Sequence, residues 1–186
     1  NQIEDTWDGC KKFVYIGHVR AEKGMRVLAE ASLKFESSGI TVDVYGPWFP
    51  DLEPNLFNGM ESIRYRGQIP SASVHETLLQ YDAFVFPTLA MGEGYPGVII
   101  EAFNASLPVV ATKWRVSHEI VDDSVGIIVA PRNAEQLASA MMKLAEDNEL
   151  YCRLKLNTRK RAERFASETW VGEFVKICKN LAFSTK

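Results

Sequence analysis

The chain has 186 residues, of which 46% are apolar, and a formal net charge of −3 at pH 7. This is enough apolar material for one well-packed core of ordinary domain size. The mild acidity, with no basic stripe or polybasic tail, argues against a nucleic-acid surface. No apolar run approaches the roughly 20 residues that span a bilayer, and we expect no signal peptide.

The three cysteines, Cys10, Cys152 and Cys178, are odd in number and far apart in the sequence. This spacing favours reduced thiols over a disulfide framework or a zinc site. We therefore expect packing cysteines in a cytoplasmic protein. Because the chain begins with Asn1 rather than Met, we also expect a fragment or a processed form.

Short β-branched and aromatic runs alternate with helical patterns along most of the chain. The predicted strands are Lys11–Val19, Ile40–Gly46, Ser62–Gly67, Ala83–Thr88, Pro108–Thr112 and Gly126–Ala130. The predicted helices between them are Lys23–Ser37, Ala72–Tyr81, Pro96–Ala105 and Ala134–Glu146. From Asn148 onward only helix is predicted, with core anchors at Leu150, Leu154, Phe165, Trp170, Phe174, Ile177 and Leu181.

This strict alternation predicts an α/β fold, a doubly wound, Rossmann-like parallel sheet of about six strands with extra C-terminal helices. We expect one domain over residues 1–186. In such sheets a ligand binds outside the carboxyl ends of the strands. The loops with unusual residues at those ends are Gly17–Gly24, Gly67–Ser71 and Thr88–Pro96.

The helix that starts near Pro96 has no conventional cap. Proline suits a first helical position, and no Ser, Thr, Asp or Asn lies between Thr88 and Asn104 to bond the free amides. Glycines nearby let a ligand approach the backbone, and free amides with the helix dipole bind anions, phosphate above all. The alternative is a helix start capped by water or by Glu93.

Two carboxylates flank this helix start. Glu101 follows Gly97 by four residues, about 6 Å along the same helix stripe, and its side chain leans back toward the helix start. With a diphosphate at the amides, Glu101 is placed to hold a ribose, and Glu93 lies toward the other end of the diphosphate ester. The alternatives are an exposed surface acid at position 101 and, at position 93, an acid favoured by the dipole.

The first loop, Gly17–Gly24, carries Arg20 and Lys23 at a helix start. Cations are disfavoured there by the helix dipole, and an anionic ligand would offset that cost. The alternative is a pair of solvated surface cations. His18 is a candidate hydrogen-bond donor or cation beside a phosphate, or a structural histidine.

The sequence gives no support to several rival functions. G-x-x-x-x-G-K-[ST] does not occur in the sequence, and the first loop lacks G-x-G-x-x-G, so an NTPase and a dinucleotide dehydrogenase are not supported. The three histidines, His18, His75 and His118, form no recognisable catalytic triad. No metal-ligand spacing occurs, so we expect neither a metal ion nor another cofactor.

Four segments in order resemble the nucleotide-sugar-binding half of retaining glycosyltransferases. They are GHVRAEKG, YRGQIPSASVHETLLQYDAFVFPT, EGYPGVIIEAFNASLPVVAT and HEIVDDSVGIIVAPRNAEQLASAMMKL. The chain is similar to the group 1 (family four) enzymes, which include sucrose-phosphate synthase and many bacterial capsule and lipopolysaccharide transferases. The resemblance extends from Phe13 to the final helices.

The resemblance implies a two-domain GT-B enzyme of which this chain is the C-terminal, donor-binding half. It places Glu93 at the donor sugar, Glu101 at the ribose and Lys23 at the diphosphate. It places the backbone of Gly94, Tyr95, Pro96 and Gly97 around sugar and phosphate. It places Gly17 and His18 in the first donor-binding loop, where Arg20 is a further catalytic candidate. It places the stretch Gln68, Ile69 and Pro70 at the nucleotide base.

The implied reaction transfers a hexose from a nucleoside-diphosphate sugar, a UDP-sugar or a GDP-sugar, to an acceptor hydroxyl with retention and without a metal. The acceptor, a sugar or a lipid-linked glycan of bacterial polysaccharide synthesis, would bind an N-terminal domain absent from this chain. The full protein would then be cytoplasmic, or peripheral to the inner membrane. The alternatives are a non-catalytic nucleotide-sugar-binding module and a nucleotide-sugar epimerase.

Two positions depart from the family pattern. His18 stands where these enzymes usually have Arg, and Arg20 lies two residues later. The segment Thr112–Val121 lacks the usual paired glycines before its acid. These departures put the phosphate clamp and the fit to the sugar in question.

Overall fold

The computed structural model describes residues 9–183, apart from the side chains of residues 167–169 and 182–183. Six parallel strands form one sheet in the order β3-β2-β1-β4-β5-β6. Their bounds are β1 Lys12–Ile16, β2 Thr41–Tyr45, β3 Ile63–Gly67, β4 Ala83–Phe86, β5 Val109–Thr112 and β6 Gly126–Val129. Each lies inside the predicted range, and the doubly wound α/β prediction is confirmed.

Seven α-helices are described between and after the strands. They are α1 Met25–Ser32, α2 Val74–Leu78, α3 Gly97–Asn104, α4 Ser117–Ile120, α5 Ala134–Glu146, α6 Asn148–Glu163 and α7 Ser167–Phe183. The predicted helix over residues 23–37 is shorter, because short 3₁₀ helices flank α1 on both sides. Helix α4 was not predicted.

The core has two halves, one on each face of the sheet. Along β1, Phe13 and Tyr15 belong to one buried cluster, while Val14 and Ile16 belong to the other. This alternation follows from the two-residue period of a strand. Since both halves are apolar, both faces of the central strands are covered by helices, as a parallel sheet requires.

The C-terminal helices differ from the sequence prediction. Leu150 and Leu154 on α6 are buried and Phe165 is partly buried. On α7, however, the predicted core anchors are exposed, at 62% for Trp170, 67% for Phe174, 55% for Ile177 and 66% for Leu181. That part of the prediction is wrong, because helical apolar periodicity indicates a face suited to burial but not the surface that buries it.

No helix among the described residues combines the length and the apolar character needed to cross a lipid bilayer.

The strand order reverses between β1 and β4, where the chain winds away in both directions. In open α/β sheets a crevice forms at this reversal, outside the carboxyl ends of the two strands. The segments that follow β1 and β4 are therefore the ones that border the crevice.

Candidate functional site

The loops after β1 and β4 are joined directly. The amide of Leu89 donates to the carbonyl of Glu22 at 2.7 Å. Gly24, with φ of +77°, lies so close to Pro87 that an added Cβ would sit 2.0 Å from the Pro87 carbonyl oxygen. Only glycine meets both the left-handed backbone and this contact. The two loops thus form one continuous wall of the crevice.

The start of α3 is open. Pro96 was predicted at the first helical position, but it occupies the N-cap and the helix begins at Gly97. Its backbone is extended (φ −76°, ψ 103°), and no side chain caps the helix. Within residues 9–183, no hydrogen-bond acceptor contacts the amides of Gly97 and Val98. These amides and the positive end of the helix dipole remain available to an anion.

A cavity of about 340 Å³ lies at this helix start, between the two loops. Its walls include seven residues predicted from the sequence, namely Gly17, His18, Lys23, Glu93, Tyr95, Pro96 and Gly97. Residues from the strand ends and from α3 complete it, namely Tyr15, Ile16, Phe86 and Val98. The fold therefore gathers most of the predicted residues around one space.

The charged centre of the cavity is a pair between the two loops. The ammonium Nζ of Lys23 lies 2.6 Å from Oε2 of Glu93, and the two side chains are only 19% and 12% exposed. The hydroxyl of Thr88 donates to the same Oε2 at 2.7 Å. Glu93 is therefore engaged with Lys23 and Thr88 and does not cap α3.

Arg20 lies apart from this pair. Its guanidinium is 3.3 Å from Glu22 and 3.5 Å from Asp51, and it stacks 5.0 Å from the ring centre of Phe49. The ring of His18 packs against the same phenylalanine at 4.9 Å. Arg20 is not among the residues that line the cavity, so the structure does not bring it together with Lys23 and Glu93.

The residues predicted for ribose and base lie outside the cavity wall. Glu101 is exposed on α3, one turn beyond Gly97. Partial burial raises the pKa of Glu101 above its ordinary value, and the nearby His75 opposes part of that rise. Ile69 and Val98 pack against the same apolar cluster, which brings the segment after β3 toward α3.

Gln68, Pro70 and Gly94 are exposed. They do not line the cavity either. Thus the structure gathers seven of the predicted residues around the cavity, and the other predicted residues do not line it.

Two contributing residues were not predicted from the sequence. Tyr15 is buried on β1, and its hydroxyl donates to the carbonyl of His18 at 2.8 Å, which holds the first loop. Burial, together with the Glu93 charge, raises the pKa of the Tyr15 phenol, so it remains a donor. Thr88 is fully buried at the end of β4. The sequence could have indicated both residues, because each lies at or near the carboxyl end of a strand.

Within residues 9–183, no three His, Cys, Asp or Glu side chains are placed to hold a metal ion.

Comparisons with known proteins agree on one family. Residues 10–147 match the family described as "Glycosyl transferases group 1". TuaC, a Bacillus subtilis glycosyltransferase assigned to teichuronic acid biosynthesis, is 30% identical over 131 residues, which cover 70% of this chain and 32% of that protein.

Solved structures agree on the fold. The C-terminal domain of the group 1 family protein LpcC from Francisella tularensis matches with a TM-score of 0.72 at 24% identity, over 83% of this chain and 84% of that chain. The pneumococcal O-GlcNAc transferase GtfA, solved with UDP and GlcNAc, matches with a TM-score of 0.78 at 16% identity, over 96% of this chain and 37% of that chain. Against related full-length proteins, the matched region spans 32% to 39% of their length.

Proposed function

This chain belongs to the group 1 glycosyl transferases, and on that premise we propose that it is the donor-binding domain of a retaining hexosyltransferase. The donor is a nucleoside-diphosphate sugar, and the product belongs to a bacterial polysaccharide or glycoconjugate. The observation that carries this proposal is the Lys23–Glu93 pair beside the uncapped start of α3. A cation and free amides at one point suit a diphosphate.

The dimensions of the site support a small-molecule ligand. Its volume of about 340 Å³ lies within the range of roughly 300–1,000 Å³ for such pockets. An ammonium has three N–H donors, and Glu93 accepts only one of those of Lys23. Among the described residues, no other acceptor bonds this ammonium, so its remaining N–H groups can bind phosphate oxygens. Lys23 can therefore bind the donor without leaving Glu93.

The chemistry follows from these groups. As the bond between the sugar and the diphosphate breaks, negative charge develops on the leaving diphosphate. Lys23 and the amides of Gly97 and Val98 would stabilise that charge electrostatically, with no metal ion required. Glu93, beside Lys23, would face the sugar, and Glu101, one turn along α3, would hold the ribose. Arg20 would contact the donor only after exchanging its ion pairs with Glu22 and Asp51.

The acceptor, a sugar or a lipid-linked glycan, is proposed to bind a second domain outside this chain. The matched relatives are about three times as long as the region they share with it. The exposed apolar residues of α7, Trp170 and Phe174 among them, are available for a contact with such a domain. We propose a cytoplasmic location, peripheral to the inner membrane when the acceptor is lipid-linked.

Calorimetry of the chain tests donor binding. UDP, GDP, ADP and their hexose conjugates are titrated into the wild type and into Lys23→Ala. We expect Lys23→Ala to weaken diphosphate binding by about tenfold or more, since it removes a charge-assisted contact. Lys34→Ala is the matched control, because Lys34 makes an equally short pair with Glu135 at 2.6 Å outside the cavity. Equal binding by the wild type and Lys23→Ala would contradict the proposal.

Turnover is tested in the full-length enzyme. Glu93→Gln keeps the shape of the side chain and removes its charge, so we expect a lower kcat with donor binding largely retained. A protein that binds the donor but neither transfers nor hydrolyses it is a binding module. One that interconverts UDP-sugars without an acceptor is an epimerase.

A further inference from the structure

Thr88 is the buried residue that contacts the central carboxylate of the site. It lies two residues beyond the end of β4 and is fully buried. Its Oγ1 donates to Oε2 of Glu93 at 2.7 Å and accepts the amide of Ala90 at 3.3 Å. Because the amide can only donate, the hydroxyl hydrogen of Thr88 is directed to Glu93.

The two oxygens of Glu93 are not equivalent. Oε2 accepts from Thr88 at 2.7 Å and from the ammonium of Lys23 at 2.6 Å. A carboxylate oxygen has two lone pairs, so Oε2 has no capacity left. Among the described residues, no donor contacts Oε1. Since Glu93 lines the cavity, Oε1 is its one free acceptor.

A neighbouring threonine separates this contact from general support of the loop. Thr112, also buried, donates its hydroxyl to the backbone carbonyl of Thr88 at 2.6 Å. It therefore ties the same loop to β5 without touching Glu93. Both residues hold the loop, but only Thr88 orients the carboxylate.

We propose that Thr88 is a positioning residue for donor-sugar recognition: it fixes Oε2 of Glu93 and so presents Oε1 alone to a hydroxyl of the sugar. This inference rests on the proposed function. It concerns the sugar only, because in the described part of the chain Thr88 forms no hydrogen bond with Lys23 or with the amides of α3, which would hold the diphosphate. The affinity gained from the sugar should therefore depend on Thr88, while the affinity for the nucleotide should not.

The test compares each nucleoside diphosphate with its sugar conjugate by calorimetry on this chain. The pairs are UDP with UDP-glucose or UDP-N-acetylglucosamine, GDP with GDP-mannose, and ADP with ADP-glucose. The pair that the wild type binds best is used for the variants Thr88→Val, Thr88→Ser and Thr112→Val. The measured quantity is the ratio of the two dissociation constants, diphosphate over sugar conjugate.

We expect Thr88→Val to lower this ratio by about tenfold, the loss of one hydrogen bond to a charged group, while the Kd of the diphosphate changes less than about twofold. Thr88→Ser should retain the wild-type ratio, because it keeps the hydroxyl. Thr112→Val should lower the unfolding temperature without changing the ratio. If Thr88→Val does not fold, Thr88→Ala takes its place, with Thr112→Ala as its control.

The inference is overturned by a wild-type ratio near one, by an unchanged ratio in Thr88→Val, or by an equal fall in Thr112→Val. In each of these cases nucleotide binding itself persists, so the proposed function stands. A wild-type chain that binds none of these nucleotides overturns the proposed function and this inference together.

Discussion

The close approach of Gly24 to Pro87 can be tested with a matched pair of glycines. Gly24 and Gly59 have almost the same positive φ, +77° and +79°. An alanine Cβ at position 24 would lie 2.0 Å from the Pro87 carbonyl oxygen, whereas one at position 59 would meet nothing within 4 Å. The two substitutions therefore share the backbone cost and differ in the contact.

The left-handed conformation costs a non-glycine residue roughly 1–2 kcal/mol, and this is the whole loss expected for Gly59→Ala. In Gly24→Ala the two loops must also separate by about 1 Å before the contact becomes tolerable. Overpacking of this kind costs typically about 1–3 kcal/mol. We therefore expect Gly24→Ala to lose about 2–5 kcal/mol of unfolding free energy in total.

Urea unfolding of both variants measures this difference, provided that the slope of the transition is unchanged. The same separation would stretch the Lys23–Glu93 pair, so Gly24→Ala should also bind nucleoside diphosphate more weakly than Gly59→Ala. If the two variants lose the same stability to within about 0.5 kcal/mol, the tolerance within which independent effects usually add, the reasoning from this contact is refuted.

Two further predictions concern the edges of the site. The affinity for nucleoside diphosphate, measured by calorimetry across pH, should be highest above the raised pKa of Glu101 and should fall as pH decreases through that pKa. The reason is that a protonated Glu101 can accept fewer hydrogen bonds from the ribose. Glu101→Gln should remove this fall in affinity. His75→Gln should move the fall to higher pH, because the charge of His75 lowers the pKa of Glu101. An unchanged pH profile in Glu101→Gln would contradict the ribose role. Tyr15→Phe removes the hydroxyl that donates to the carbonyl of His18 and should weaken nucleotide binding. Tyr81→Phe, which loses a hydroxyl bonded to Asp43 outside the cavity, should change stability alone, and equal affinities in the two variants would refute that difference.

Local sequence patterns predicted the strands well because each one is a short run with β-branched or aromatic residues, closed by turn residues. The open helix start was also predictable, since the absence of a cap between Thr88 and Asn104 is a property of adjacent residues. The helix was placed one residue early, with Pro96 at its first position instead of the N-cap. Such terminal shifts are common, because helix ends depend on hydrogen bonds that the sequence pattern does not specify.

Arg20 and Lys23 illustrate what a sequence pattern leaves open. Both are cations in one glycine-flanked loop, and the same dipole argument applied to both. In the fold, Lys23 meets Glu93, which is 70 positions away, while Arg20 pairs with Asp51 and stacks on Phe49. Which acid each cation meets depends on the strand order, which brings the loop after β4 beside the loop after β1.

By itself, then, the sequence determined the alternation of strands and helices, the parallel sheet, and two of the loops that border the cavity. These follow from periodicity and turn chemistry, which are local. The tertiary structure decided the contacts between Glu93, Lys23 and Thr88, the approach of Gly24 to Pro87, and the exposure of Trp170 and Phe174 on α7. These depend on distances between segments far apart in the chain, which only the packing of the sheet and its helices sets.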